Sequence, residues 1–120
     1  MEVQVFGTKK NSETRKALRF FAERRIKVHF SDLDVRPASL SELQRFAQKF
    51  GVPALVDRDS KRFAALGLGA GHLTDTRWLD KLTQEPGILK QPLVRWQKKI
   101  SIGDQEAEWK AWIAEAAAAT

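Results

Sequence analysis

At 120 residues, with no cysteine and two histidines, the chain is sized for a single domain, 1–120. That composition excludes disulfides and thiol chemistry and argues against a structural zinc site, so no metal is expected. The net charge of +6 is unevenly spread: residues 1–30 carry eight basic side chains against three acidic ones, and residues 103–120 carry four acidic against one basic.

A basic end of this kind can meet an acidic protein, a small anion or nucleic acid, or can simply be a solvated helix face. No apolar run reaches the roughly 18 residues of a membrane span, and no signal-peptide core opens the chain. A soluble, cytoplasmic, monomeric protein that avoids membranes is therefore expected.

"EVQVFG" alternates Val3 and Val5 with polar neighbours and reads as a strand ending at Gly7. From Ser12 the period changes to that of a helix. Leu18, Phe21 and Ala22 form its stripe, widened by Ala17, Phe20 and Ile26, and Asn11 or Ser12 caps its start. "IKVHFSDLD" reads as a second strand with Ile26, Val28 and Phe30 on one face. Ser39 and Glu42 have capping-box spacing. They open a helix whose stripe is Leu40, Leu43, Phe46, Ala47 and Phe50, closed by Gly51 and Pro53.

Phe63 to Leu66 form a short helix, and the glycines at 67, 69 and 71 make a loop. A helix from Thr74 or Asp75 carries Trp78, Leu79 and Leu82 and stops before Pro86. Leu93–Trp96 and Ile100–Ile102 read as a hairpin around Gln97-Lys98-Lys99. A last helix, capped by Asp104, is docked by Trp109, Trp112 and Ile113. The four tryptophans, Trp78, Trp96, Trp109 and Trp112, read as core rather than as a binding box. The order β-α-β, helices, β-β-α predicts an α/β protein: a thioredoxin-like, glutaredoxin-type mixed sheet with helices on both faces and a helical insertion.

Four segments, "NSETRKAL", "FAALGL", "EPGILKQPLV" and "IGDQEAEWKAW", occur in order. Together they resemble the ArsC/Spx/MgsR-like family of glutaredoxin-dependent arsenate reductases and Spx regulators, nearly end to end. The resemblance puts Asn11 at the redox cysteine and Thr14 at the second cysteine of the Cys-x-x-Cys members. It puts Gln91 at the arginine before the signature proline, and Asp57, with Arg58 one place off, at a second arginine. The last anion-binding arginine finds no match near Ile102 and Gly103.

An amide cannot replace a nucleophilic thiolate, so a working arsenate reductase is not expected. Ser12 lacks a neighbouring base, and His29 reads as an exposed strand residue rather than a catalytic one. A crystallographic Cys→Ser change at Ser12 would fall one place away from the nucleophile position.

What survives is a helix start able to bind an anion, with Ser12, Thr14 and Arg15 as candidates beside Lys9 and Lys10. The resemblance implies a cis Pro92 that presents the backbone of Gln91 to a peptide or to glutathione. Glutathione is the one cofactor this admits. Capping alone also explains Asn11 and Ser12, and loop shaping also explains Pro92.

Two functions follow. One is a cysteine-less, protein-binding or regulatory domain using Lys10, Arg19 and Arg24, with RNA polymerase the partner implied by the Spx resemblance. The other is an arsenate-reductase-like relative that binds glutathione or a small anion. Nucleic acid is disfavoured, because no basic-aromatic strand surface is present.

Overall fold

A computed structural model describes residues 1–70 and 72–119. In chain order the elements are β1 (Glu2–Gly7), α1 (Ser12–Glu23), β2 (Lys27–Asp32), α2 (Leu40–Phe50), α3 (Lys61–Ala65), α4 (Asp75–Gln84), β3 (Leu93–Trp96), β4 (Lys99–Ile102) and α5 (Glu106–Ala118). Short 3₁₀ turns cover Val52–Leu55, Leu68–Ala70 and Pro86–Ile88. The chain divides into two compact units, 1–32 with 91–120, and 33–90. The helices read from the sequence as an insertion make up the second unit. The expected loop glycine at 71 lies outside the described residues.

The first unit is built on a four-stranded sheet in the order β2-β1-β3-β4. β1 and β2 run parallel, with Val3 opposite Val28 and Val5 opposite Phe30. β3 is antiparallel to both β1 and β4, with Val5 opposite Val94 and Val94 opposite Ser101. Because strand side chains alternate, Val3, Val5, Val94 and Trp96 share one face. On that face they form a buried cluster with Ala17, Phe20 and Phe21 of α1 and Trp109 and Trp112 of α5. The Trp109 ring lies 5.4 Å from Phe20 and 5.2 Å from Phe21. Truncating a buried aromatic of this kind costs roughly 3–5 kcal/mol. Trp109 Nε1 donates to Ser101 Oγ at 2.8 Å, whereas the buried Trp112 Nε1 has no partner among the described residues.

The second unit packs α2 and α4 against each other and against the 52–55 turn. Leu43, Phe46, Leu55, Leu79 and Leu82 are buried. Ser39, Ser60 and Thr74 cap α2, α3 and α4 with their side-chain oxygens. The amide of Lys90 donates to the carbonyl of Leu55, and that of Asp57 to Ile88, both at 2.8 Å. The Phe63 and Trp78 rings stack 6.3 Å apart. Arg62 grips Glu85 with two hydrogen bonds of 2.9 Å. That pairing holds the Glu85 carboxyl below its usual range.

Four details differ from the sequence reading. Ala22 is exposed, because it sits about 100° past the buried Phe21 on the helix. Leu40 and Phe50 are exposed at the two ends of α2, where the stripe runs past its packing partners. The hairpin turn is tighter than expected: Lys99 already pairs with Trp96, and Gln97 takes a left-handed φ of 55°. Asp104 does not cap α5. The residue before that helix is Gln105, with no capping side-chain bond, while Asp104 accepts from Lys16 Nζ at 2.8 Å. That bond raises the Lys16 pKa.

Candidate functional site

The C-terminal end of β1 runs through Gly7 and Thr8 into α1, and the chain returns beside it at Gln91 and Pro92. Asn11 is the N-cap: it holds an extended backbone, and its Oδ1 accepts from the Thr14 amide at 2.9 Å. The Asn11 amide bonds the Thr8 carbonyl, and the Arg15 amide bonds the Asn11 carbonyl. Among the described residues, the amides of Ser12 and Glu13 have no acceptor within the chain. These two N–H groups and the positive helix end are what the turn still offers an anion.

The Gln91–Pro92 peptide bond is cis. Gln91, whose backbone the sequence reading offers to a ligand, turns its side chain inward. Its Oε1 accepts from the Thr8 amide at 2.7 Å, from Thr8 Oγ1 at 3.1 Å and from Thr14 Oγ1 at 3.2 Å. A backbone N–H can only donate, so the amide oxygen must be the atom facing it. An sp² oxygen has two lone pairs, so three donors leave it fully committed. All three residues are buried, Thr14 completely. The Thr14 hydroxyl is thereby taken out of reach of a ligand.

The network also dictates its neighbour. A Cβ at position 7 would collide with Thr14 Oγ1 and lie 2.7 Å from Thr14 Cγ2, so only glycine fits there. Thr8, six residues before Thr14, escaped the sequence reading. Its only signal is a second threonine flanking the turn.

The basic side chains fall into distinct states. Arg15 Nη1 donates to the Lys9 carbonyl at 3.0 Å, clamping the loop ahead of its own helix. The Arg24 guanidinium lies 3.8 Å from the centre of the Phe20 ring and donates to the Phe20 carbonyl at 3.0 Å. Arg19 is exposed, with no acid or acceptor bound to it among the described residues. It lines an open groove of about 250 Å³ with Lys16, Phe20, Glu23, Arg24 and Glu106. Lys9, Lys10 and Ser12 are exposed at the head of the same helix.

In the second unit, Asp57 Oδ1 accepts from the Asp59 amide at 3.2 Å. The Arg58 guanidinium lies 5.6 Å from the Phe63 ring centre and 5.7 Å from that of Trp78. Near the end of β4, Gly103 has a φ of 77°, a conformation that L side chains rarely adopt, and it donates to the Pro92 carbonyl at 2.9 Å. His29 is exposed and sits 3.6 Å from Glu2. Among the described residues no cluster of three acidic or imidazole groups could hold a metal, and no helix is long and apolar enough to cross a membrane.

The mixed sheet, the cis-proline and the strand-to-helix turn facing it define a thioredoxin-like α/β protein. The ArsC family model matches residues 6–112, and the chain belongs to that family. It is 28% identical to an uncharacterised protein of Haemophilus influenzae, over 91% of this chain and 96% of that one. It is 25% identical to the global transcriptional regulator Spx 2 of Oceanobacillus iheyensis, over 94% and 84%. Among solved structures it resembles an ArsC family related protein of Bacteroides fragilis, with a TM-score of 0.81 at 17% identity, covering 92% and 97% of the two chains. It also resembles the arsenate reductase of Vibrio cholerae, with a TM-score of 0.72 at 24% identity, covering 85% and 89%. At these identities the structural likeness speaks for the fold.

Proposed function

We propose that this chain is a cysteine-less ArsC-family protein whose redox site has become structural, and that it acts by binding another protein. The observation that carries this reading is the Thr8–Gln91–Thr14 network. Two positions at which the resemblance implies a second cysteine and an anion-binding arginine bond to each other, in the interior. Asn11 is engaged as a cap, and the position that the resemblance gives to the redox cysteine carries no thiol.

The exposed basic face of α1 then supplies the binding surface, with Arg19 as its unengaged charge and Lys10 and Arg24 beside it. Similarity to Spx regulators makes RNA polymerase the first partner to test. Two measurements decide the matter. Purified protein with arsenate, glutathione and glutaredoxin should give no turnover above background, and turnover would overturn the reading. Capture of purified bacterial RNA polymerase should weaken on Arg19→Glu, and more on Arg19→Glu with Arg24→Glu. Capture unchanged by both would remove α1 as the surface.

A second reading rests on the unpartnered amides of Ser12 and Glu13. They would hold a small anion or the carboxylate of glutathione beside Lys9 and Lys10. Amide shifts at Ser12 to Arg15 on titration with glutathione or arsenate would favour it, and their absence would dismiss it.

A further inference from the structure

Three residues along β1 from Gly7, about 10 Å at strand rise, the sheet face away from α1 and α5 carries a polar row. His29 of β2, Gln4 of β1 and Arg95 of β3 are direct cross-strand neighbours, Gln4 standing opposite both others. Residues opposite each other in register share a face. On that same face Phe6, Leu93, Ile100 and Ile102 are all buried, so the row is a polar interruption of an apolar surface. An open depression of about 240 Å³ is lined by Glu2, Gln4, His29, Arg95 and Gln97.

Arg95 is the unusual member. It is half-buried on an interior strand, yet no carboxylate pairs with it among the described residues. Its Nε donates to the Gln97 carbonyl at 2.8 Å. Gln97 is the left-handed residue of the hairpin turn, so the turn itself fixes the guanidinium plane. With Nε occupied, the Nη1 and Nη2 end is what remains, and two parallel N–H donors at that end match the two oxygens of a carboxylate. The Gln4 side-chain amide also has no bond among the described residues, and it supplies a further donor next to that fork. Glu2, the acid in the depression, is offset by Lys27 at 3.5 Å, which holds its pKa below the usual range, and it lies 3.6 Å from His29. Arg95 is the uncompensated charge.

We propose that Arg95, oriented by Gln97 and flanked by Gln4, binds the carboxylate of a small organic acid on this sheet face. The site is independent of α1 and of the partner reading above.

The test is an NMR titration of the full chain with glutarate at constant ionic strength, following the Arg95 Nε–Hε and Gln4 side-chain amide resonances. Saturable shifts of both are expected. Affinity should fall at least tenfold in Arg95→Gln and by a smaller factor in Arg95→Lys, which keeps the charge but loses the fork. A dispersed amide spectrum checks that each variant is folded. Should Arg95→Gln fail to fold, Gln4→Ala carries the comparison, with an expected drop of severalfold. Arg19→Gln should change nothing. Shifts that do not saturate, that titrate with unchanged affinity in Arg95→Gln or Gln4→Ala, that centre on Ser12 to Arg15, or that are matched by inorganic phosphate would each overturn the assignment.

Discussion

Replacing Gln91 by leucine is the sharpest perturbation of the Thr8–Gln91–Thr14 network, because it keeps the side chain's bulk and deletes the acceptor on which three donors converge. The magnitude follows from what each donor can do next. The two threonine hydroxyls can rotate toward other acceptors. The Thr8 amide has no such freedom, and its 2.7 Å bond is the shortest of the three. Leaving that buried backbone donor unpaired costs about 1–3 kcal/mol, and weakening the hydroxyl bonds adds about 1 kcal/mol. Burial of leucine returns part of this, so a net loss of about 2–3 kcal/mol is expected.

For a chain of this size that lowers Tm by roughly 6–15 °C. With a urea m-value of about 1.5 kcal/mol/M it shifts the midpoint by about 1.3–2 M. The buried tryptophans give the fluorescence signal for both assays. Thr14→Val removes only the hydroxyl. In the Gln91→Leu background it should be nearly free or favourable, giving a coupling energy of about 1 kcal/mol between the two positions. A Gln91→Leu protein within about 0.5 kcal/mol of the parent, or strict additivity with Thr14→Val, would refute the network as a structural device.

Other expectations follow from the same region and from the second unit. Gly7→Ala should cost about 1–3 kcal/mol through the clash with Thr14, and less when combined with Thr14→Ala; equal costs in both backgrounds would point to another cause. Asn11→Cys should yield a thiol that iodoacetamide alkylates with a pH midpoint below the ordinary value of about 8.5, since it sits at a helix N-terminus, and arsenate turnover should still be absent. A midpoint at or above 8.5 would show that the helix end exerts no useful field there. The Glu85 carboxyl titrates below the ordinary glutamate value because Arg62 bonds its charged form. Its contribution to stability is thus complete above about pH 4.3 and is lost as pH falls through the lower folded value. A ¹³C titration should return the ordinary midpoint in Arg62→Gln, and an unchanged midpoint would remove the hydrogen bond as its cause.

Local rules carried much of the fold. The switch from alternation at Val3 and Val5 to helical spacing beyond Ser12 marks β1 and α1. The Ser39 cap lies three residues from Glu42, and the apolar positions flanking Gln97 mark the hairpin. These features were legible because each is written within a few neighbouring residues. What was not legible depends on partners far along the chain. Asp104 looks like a cap from its neighbours alone, but Lys16, 88 residues away, takes its carboxylate and leaves the α5 cap to Gln105. Gln91 looks like a lost arginine, and nothing near it in sequence says that Thr8 and Thr14, more than 70 residues upstream, will surround its oxygen. The polar row of His29, Gln4 and Arg95 is invisible for the same reason, since strand register alone brings the three together.

The bond between Thr14 and Gln91 also constrains the order in which substitutions can occur. An arginine at position 91 has no acceptor to offer the Thr8 amide, so it would set donor against donor in a buried space. Position 91 therefore cannot change to arginine alone without orphaning the loop ahead of α1, and a cysteine at position 14 alone would strip a donor from Gln91 without restoring an anion site. Substitutions at positions 8, 14 and 91 are therefore coupled, and a change at position 91 is best tolerated together with changes in the two threonines that donate to it.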